Sequence, residues 1–181
     1  MRYLIAMTGS SGAVYGVRLL RALKGERMLI MSRTAKGVIE HELDLKPEQV
    51  AVFAETCYED EDLFAPPSSG SFLYDAMVVI PCSESTLGKI ANGIADTLIT
   101  RAAAVCLKEG RRLVLVPRET PVSAVMLENE LKLARLGVTI VPANPGFYSR
   151  PESVEDLVDF VVGKVLDQLG QGHDLFRRWG R

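Results

Sequence analysis

Arg101-Ala-Ala-Ala-Val-Cys-Leu-Lys-Glu-Gly110, running on into Arg111-Arg-Leu-Val-Leu-Val-Pro-Arg-Glu-Thr-Pro121, is the stretch that decides the fold class. Leu113 to Val116 is continuous, uncharged and half β-branched, which is the pattern of a strand buried on both faces of a parallel sheet. Arg118 and Glu119 follow directly. Thr120 and Pro121 then read as the cap and first residue of a new helix. A charged dipeptide at the carboxyl end of a buried parallel strand stands where open α/β sheets bind ligands. Arg101 and Lys108 lie on the preceding helix. Seven residues is two turns, so both cations share one face about 10 Å apart along the axis. The small Ala104 between them leaves room for an anion.

Upstream, Arg2 to Met7 reads as a strand, Thr8-Gly9-Ser10-Ser11-Gly12 as a turn, and Ala13 to Lys24 as a helix with Val14, Val17, Leu20 and Leu23 on one face. Strand, glycine turn and helix is a common way to offer backbone N–H groups to a phosphate, and equally a plain tight turn with close packing. The glycine spacing is not the dinucleotide fingerprint. Arg27 to Met31 is a second strand, with Ser32 at its end as a cap for the next helix. His41 and Glu42 fall on or just beyond that helix. Pro47 to Cys57 reads as a short helix. The acidic run Glu59 to Asp62 suits a solvated loop better than a metal site, whose ligands must aim at one point.

Ala76 to Ile80 is a third strand. It leads through Pro81-Cys82 to Ser83, Glu84, Ser85 and Thr86, three hydroxyls in four residues at a strand-to-helix junction where capping explains one. Cys82 has no His or cation beside it in sequence and reads as a packed thiol. Gly93 and Asp96 open the Arg101/Lys108 helix. Beyond Pro121 a helix runs to Leu136 with Ala124, Leu127, Leu131 and Ala134 as its apolar stripe. Val138 to Val141 is the last strand. A proline-stiffened loop then carries Phe147 and Tyr148, as a pocket wall or tucked into the core. Ser153 and Asp156 form a capping box for a final helix whose stripe runs from Val154 to Leu166, with Lys164 at its border. The tail holds Trp179.

The alternation predicts one doubly wound, three-layer (Rossmann/flavodoxin-like) α/β domain over residues 1–181 with a mostly parallel sheet. Apolar residues make up 48% of 181, and the net charge of −2 gives no case for nucleic acid or an anionic membrane. No apolar run is long enough to span a bilayer. Three scattered cysteines suit a reducing compartment, and the expected location is the cytoplasm.

Seven motifs in order resemble the UbiX-type flavin prenyltransferases: Thr8 to Leu20, Ser69 to Phe72, Pro81 to Leu87, Arg101 to Glu109, Leu115 to Pro121, Pro142 to Tyr148 and Asp156 to Gly163. The resemblance implies an enzyme that moves a dimethylallyl group from its monophosphate to N5 and C6 of reduced FMN, without metal, giving prenylated FMN for UbiD-type decarboxylases. It implies FMN contacts at Gly9, Ser10, Ser11, Ser32, Ser83, Glu84, Ser85, Thr86 and Arg118. It implies prenyl-phosphate contacts at Tyr148 and Lys164, joined by Arg101 and Lys108 of a neighbouring subunit. Glu119 would move a proton, and Ser11 is the functional serine of its motif. Glu42 falls near an acidic family position. Large homo-oligomers, commonly dodecamers, are implied, with residues 153–181 at subunit contacts. Departures include Ser10 within the glycine turn and Lys164 where many members carry Arg, which keeps the charge but not the bidentate fork. Two rivals remain. The flavin-dependent cysteine decarboxylases use a Pro-x-Met-Asn motif and an early His. A non-catalytic FMN-binding protein would have no reason to keep Glu119 and four cations.

Overall fold

The computed structural model describes residues 1–180. Six strands form one sheet: β1 (Arg2–Met7), β2 (Glu26–Met31), β3 (Thr56–Glu59), β4 (Ala76–Cys82), β5 (Arg112–Pro117) and β6 (Thr139–Ile140). Their order is β3-β2-β1-β4-β5-β6, and every pairing is parallel. The chain therefore winds outward in one direction from β1 and in the other from β4. The crevice between the carboxyl ends of these two strands is the topological switch point.

Seven helices cover the two faces: α1 (Ala13–Ala22), α2 (Arg33–Leu43), α3 (Pro47–Ala51), α4 (Glu84–Ala91), α5 (Leu98–Lys108), α6 (Ala124–Arg135) and α7 (Val154–Gln168). Alternate strand residues feed two separate cores, as the period of two demands. Ile5, Met7, Leu29, Val78 and Ile80 pack under α1, α2 and α7. Leu4, Ala6, Met28, Met77 and Val79 pack under α4, α5 and α6. Thus α5 and α7 lie on opposite faces of the sheet.

Five local readings are corrected. Residues 56–59 form an edge strand beside β2 and are not the end of a helix, because Met28 to Met31 offer them a ladder partner. The Gly93/Asp96 opening gives way to Thr97, whose hydroxyl accepts from the Thr100 N–H and starts α5. Thr120 is not a helix cap. Its hydroxyl donates to the Glu119 carbonyl at 2.8 Å, while Ser123 accepts from the Met126 N–H at 3.1 Å and starts α6 instead. In α6 the residues that reach the core are Met126 and Leu133, so Leu127 and Leu131, placed in the apolar stripe by sequence, remain about half exposed. Val154 on α7 is likewise exposed. The Ser153/Asp156 capping box forms as expected.

Candidate active site

Thr8, at the end of β1, fixes the crevice. Its buried hydroxyl donates to the Pro81 carbonyl at 2.8 Å and accepts from the Ser83 N–H at 2.8 Å, so the two switch-point strands are pinned where they part. Around this point the amino ends of three helices converge. Ser32 caps α2 by accepting from the Ala35 N–H, Ser83 caps α4 by accepting from the Thr86 N–H, and Thr97 caps α5. With Gly9, Thr34, Ser85, Thr86, Lys89 and Thr100 they line a cleft of about 260 Å³. Helix amino termini and hydroxyls make a donor set suited to a phosphate monoester; the Asp60 carboxylate that also lines the cleft accepts from the Ile99 N–H, and the Lys89 ammonium pairs with Asp96 at 2.7 Å. FMN carries that group, so the cleft fits it chemically.

The glycine turn itself does something else. The α1 amino terminus is occupied by the Glu42 carboxylate, which accepts from the Gly12 N–H at 2.8 Å and the Ala13 N–H at 3.0 Å. Burial pushes the Glu42 carboxyl up. Hydrogen bonds from Ser11, Gly12 and Ala13, aided by the charge of Arg118, outweigh it and bring it below the ordinary range. Gly12 sits at φ 102°, where a side chain would be strained. A Cβ on Gly16 would lie 2.6 Å from the Ile80 carbonyl, so that glycine lets α1 press onto β4. The packing reading of these two glycines is the one realised.

Arg118 and Glu119 follow β5 as expected but do not face each other as an ion pair. Arg118 Nε donates to the Ser11 carbonyl at 3.1 Å, and the buried Ser10 hydroxyl donates to the Arg118 carbonyl at 2.7 Å. The turn after β1 and the turn after β5 are thereby stitched together. Glu119 accepts from the Thr120 N–H at 3.0 Å and shares with Arg118, Pro142 and Asn144 a second cleft of about 250 Å³.

Tyr148 packs over α7, the helix that carries Lys164. The Tyr148 ring stands edge-on to Phe160, one turn before Lys164, and edge-on to Trp179, with centroids 5.6 and 5.7 Å apart. A cavity of about 670 Å³ opens beside Tyr148, Arg150, Arg178 and Trp179. Phe147 points to solvent. Arg101 and Lys108 share one side of α5 as their spacing requires, next to the loop 66–70. Arg101 Nε donates to the Ser68 carbonyl at 2.9 Å, and Lys108 pairs with Glu109 at 2.7 Å. They lie across the sheet from Lys164, so a single chain does not bring together the four residues that the resemblance implied for the prenyl phosphate.

Sequence reasoning passed over Thr8, Thr34, Thr97, Thr100 and Lys89. The Thr97-x-x-Thr100 spacing carried the signal. Asp60, within the acidic run, is buried; its carboxylate accepts from the Ile99 N–H at 2.9 Å and its carbonyl from Leu98 at 2.7 Å, holding the start of α5. Burial raises its carboxyl above the usual value. Cys82 is fully buried, which pushes its thiol far up and makes it inert, as read from sequence. Among the described residues no group of three or more His, Cys, Asp or Glu side chains is placed to hold a metal ion. No described helix is long and apolar enough to cross a membrane.

Residues 1–166 match the family described as Flavoprotein. Over 180 residues the chain is 52% identical to the flavin prenyltransferase UbiX of Thermoplasma acidophilum, covering 99% of this chain and 100% of that relative. Two solved structures superpose closely. One is a dodecameric FMN-dependent UbiX-like decarboxylase from Escherichia coli O157:H7, with TM-score 0.98, 50% identity and full coverage of both chains. The other is AnUbiX (PadA1) in complex with FMN and dimethylallyl pyrophosphate, with TM-score 0.97 and 45% identity over 99% of this chain and 97% of that one.

Proposed function

The chain belongs to the UbiX-type flavin prenyltransferases, and from that premise we propose how its own residues carry out prenyl transfer. The protein binds FMN and joins a dimethylallyl group to it. The observation that carries the assignment of residues is the convergence of Ser32, Ser83 and Thr97, three helix caps, on one hydroxyl-lined cleft at the switch point. The FMN phosphate lies there, against Ser32, the Ser83 to Thr86 segment and Gly9. Ser10, Ser11 and Arg118, stitched together beside it, border the ring system. FMN supplies the nucleophilic nitrogen N5 and the ring carbon C6.

The donor's C–O bond breaks as phosphate leaves. Arg101 and Lys108 of a neighbouring copy join Lys164 around that anion, with Tyr148 at its edge. The aromatic faces of Tyr148 and Trp179 favour the positive charge that develops on the allyl group. Glu119, in the adjoining cleft, passes the proton lost from N5 to the alkene carbon C2, C6 bonds to the tertiary carbon so activated, and Glu119 takes up the proton that C6 then loses; the Ser11 hydroxyl assists from the turn across Arg118. The donor is read as the monophosphate, for which these cations suffice without a metal. The reaction takes place in the cytoplasm, and a UbiD-type decarboxylase receives the product.

Assembly follows from the same geometry, because the substrate residues lie on opposite faces of each chain. The exposed apolar residues of α6 (Val125, Leu127, Leu131) and the segment 153–181 are the surfaces we assign to subunit contacts. A dodecamer, the state of the Escherichia coli neighbour, is the expected assembly.

A second reading, FMN-dependent decarboxylation, draws on the description of that same neighbour. The junction here reads Pro81-Cys82-Ser83, and neither histidine enters the cleft: His41 is exposed on α2 and His173 lies under the tail. One experiment separates the readings. Reduced FMN and dimethylallyl phosphate are incubated with the protein and no metal, and the flavin is weighed by mass spectrometry. A flavin heavier by one isoprene unit is expected. Unmodified flavin, with CO2 released from a cysteine-ended peptide, would favour decarboxylation.

A further inference from the structure

The last turn of α7 holds a carboxylate that prenyl transfer as described above does not use. Asp167 Oδ1 accepts from Arg178 Nη2 at 2.6 Å, and Oδ2 accepts from Arg178 Nη1 at 3.2 Å, a two-pronged clasp. The same carboxylate receives the His173 Nε2 at 3.1 Å; the His173 Nδ1 accepts from the Leu175 N–H, which leaves Nε2–H as the donor. Its remaining neighbour is Lys164, whose Nζ stands 3.8 Å from Oδ2. Asp167 thus joins the helix that carries the phosphate-binding lysine to the tail that carries Trp179.

The tail is seated as well as tied. A Cβ on Gly163 would lie 2.5 Å from the Phe176 ring and 2.6 Å from the His173 ring, so the strap presses onto α7 at the residue before Lys164. Phe176 packs on Phe160 with centroids 4.9 Å apart, and Phe160 in turn meets Tyr148. Arg178 is clasped, and the next residue, Trp179, closes onto Tyr148. Trp179 is nevertheless largely exposed, so its ring has little burial of its own to hold it there.

We propose that Asp167 is a positioning residue: by clasping Arg178 it sets Trp179 against Tyr148, and by standing near Lys164 it keeps that ammonium at the phosphate site. The charge count explains why one carboxylate serves both ends. Arg178 alone neutralises Asp167, so Lys164 turns toward an arriving phosphate without leaving an unpaired anion behind. The longer separation to Lys164 than to Arg178 is what such a division requires. The proposal rests on Tyr148 and Lys164 being the prenyl-phosphate residues.

The chain has a single tryptophan, so its emission reports the strap directly. In the full-length, FMN-loaded protein, Asp167→Asn should lower the fluorescence anisotropy of Trp179, because the exposed ring loses the tether that holds it against Tyr148. The same change should raise KM for dimethylallyl phosphate about tenfold with a smaller loss in kcat, while FMN affinity stays within about twofold. Arg178→Ala should free Trp179 equally, and Asp167→Glu should recover part of both effects. Unchanged Trp179 anisotropy in Asp167→Asn and Arg178→Ala would overturn the clasp. A freed Trp179 with an unmoved KM, where Lys164→Ala does raise KM, would overturn the positioning role. An unmoved KM in Lys164→Ala would refute the phosphate assignment of Lys164 and with it the second half of the proposal, whereas the Trp179 signal still decides the first.

Discussion

The switch-point cleft and the Tyr148/Lys164 corner are built by opposite strategies. The cleft draws on the ends of β1, β2 and β4 and the caps of α2, α4 and α5, all within one chain and all tied by short hydrogen bonds through Thr8, Ser83 and Ser32. Of the three cations proposed for the corner, only Lys164 is on α7; the other two, Arg101 and Lys108, lie across the sheet on α5. The difference separates two functions. On the proposed reading, holding FMN is the work of a single fold, whereas gripping a departing phosphate is the work of an assembly.

The sharpest way to break that division is to remove chemistry while keeping the cleft. Glu119→Gln should lower kcat by about 10²-fold or more, the range for a positioned acid–base group, while FMN affinity is unchanged; rapid-quench product analysis and flavin titration check the two halves. Next comes the assembly. Leu131→Glu places a charge on the exposed apolar side of α6 and should yield smaller species by light scattering. Turnover should fall about tenfold or more, and FMN should remain bound. Full turnover by a dissociated protein would remove the need for a neighbour.

The cleft has its own test. Ser83→Ala removes the α4 cap and a hydroxyl that lines the cleft. It should cost about 1 kcal/mol in denaturant unfolding and weaken FMN binding roughly tenfold, with kcat at saturating flavin little altered. The smallest effect belongs to Glu42. Its folded-state carboxyl is depressed, so its contribution is present above the unfolded value and is lost as pH falls through the depressed one. Glu42→Gln should therefore be less stable than the parent by up to about 1 kcal/mol at pH 7, and the gap should close in acid. A gap that widens in acid would contradict the cap.

Much of the cleft was legible in sequence for a physical reason. Ser32 and Ser153 announce themselves because a cap must directly precede a helical periodicity, and both cap as read; of the three hydroxyls at the next junction, of which capping was expected to explain one, Ser83 is the cap. The buried strands Arg2–Met7 and Arg112–Pro117 stand out as apolar runs. What failed depends on neighbours distant in sequence. Thr56–Glu59 alternates weakly and becomes a strand only because β2 offers an edge. Asp60 looks like any member of an acidic run until α5 arrives to use it. The α6 stripe was visible, but the side of it that faces outward is set by Met126 and Leu133 meeting the core, which no local pattern states. The clasp at Asp167 joins residues up to eleven apart through a tail without periodicity, so spacing gave no hint of it.

Subunit complementation tests the division most directly. One inactive parent carries Arg101→Ala with Lys108→Ala, the other Tyr148→Phe with Lys164→Ala, and the two are mixed, dissociated and reassembled. Native mass spectrometry confirms hetero-oligomers. In random mixtures one site in every four joins an intact α5 face to an intact α7 corner, so about a quarter of wild-type prenylation should return. Verified hetero-oligomers that stay as inactive as their parents would show that each chain completes its own site, and the account would be wrong.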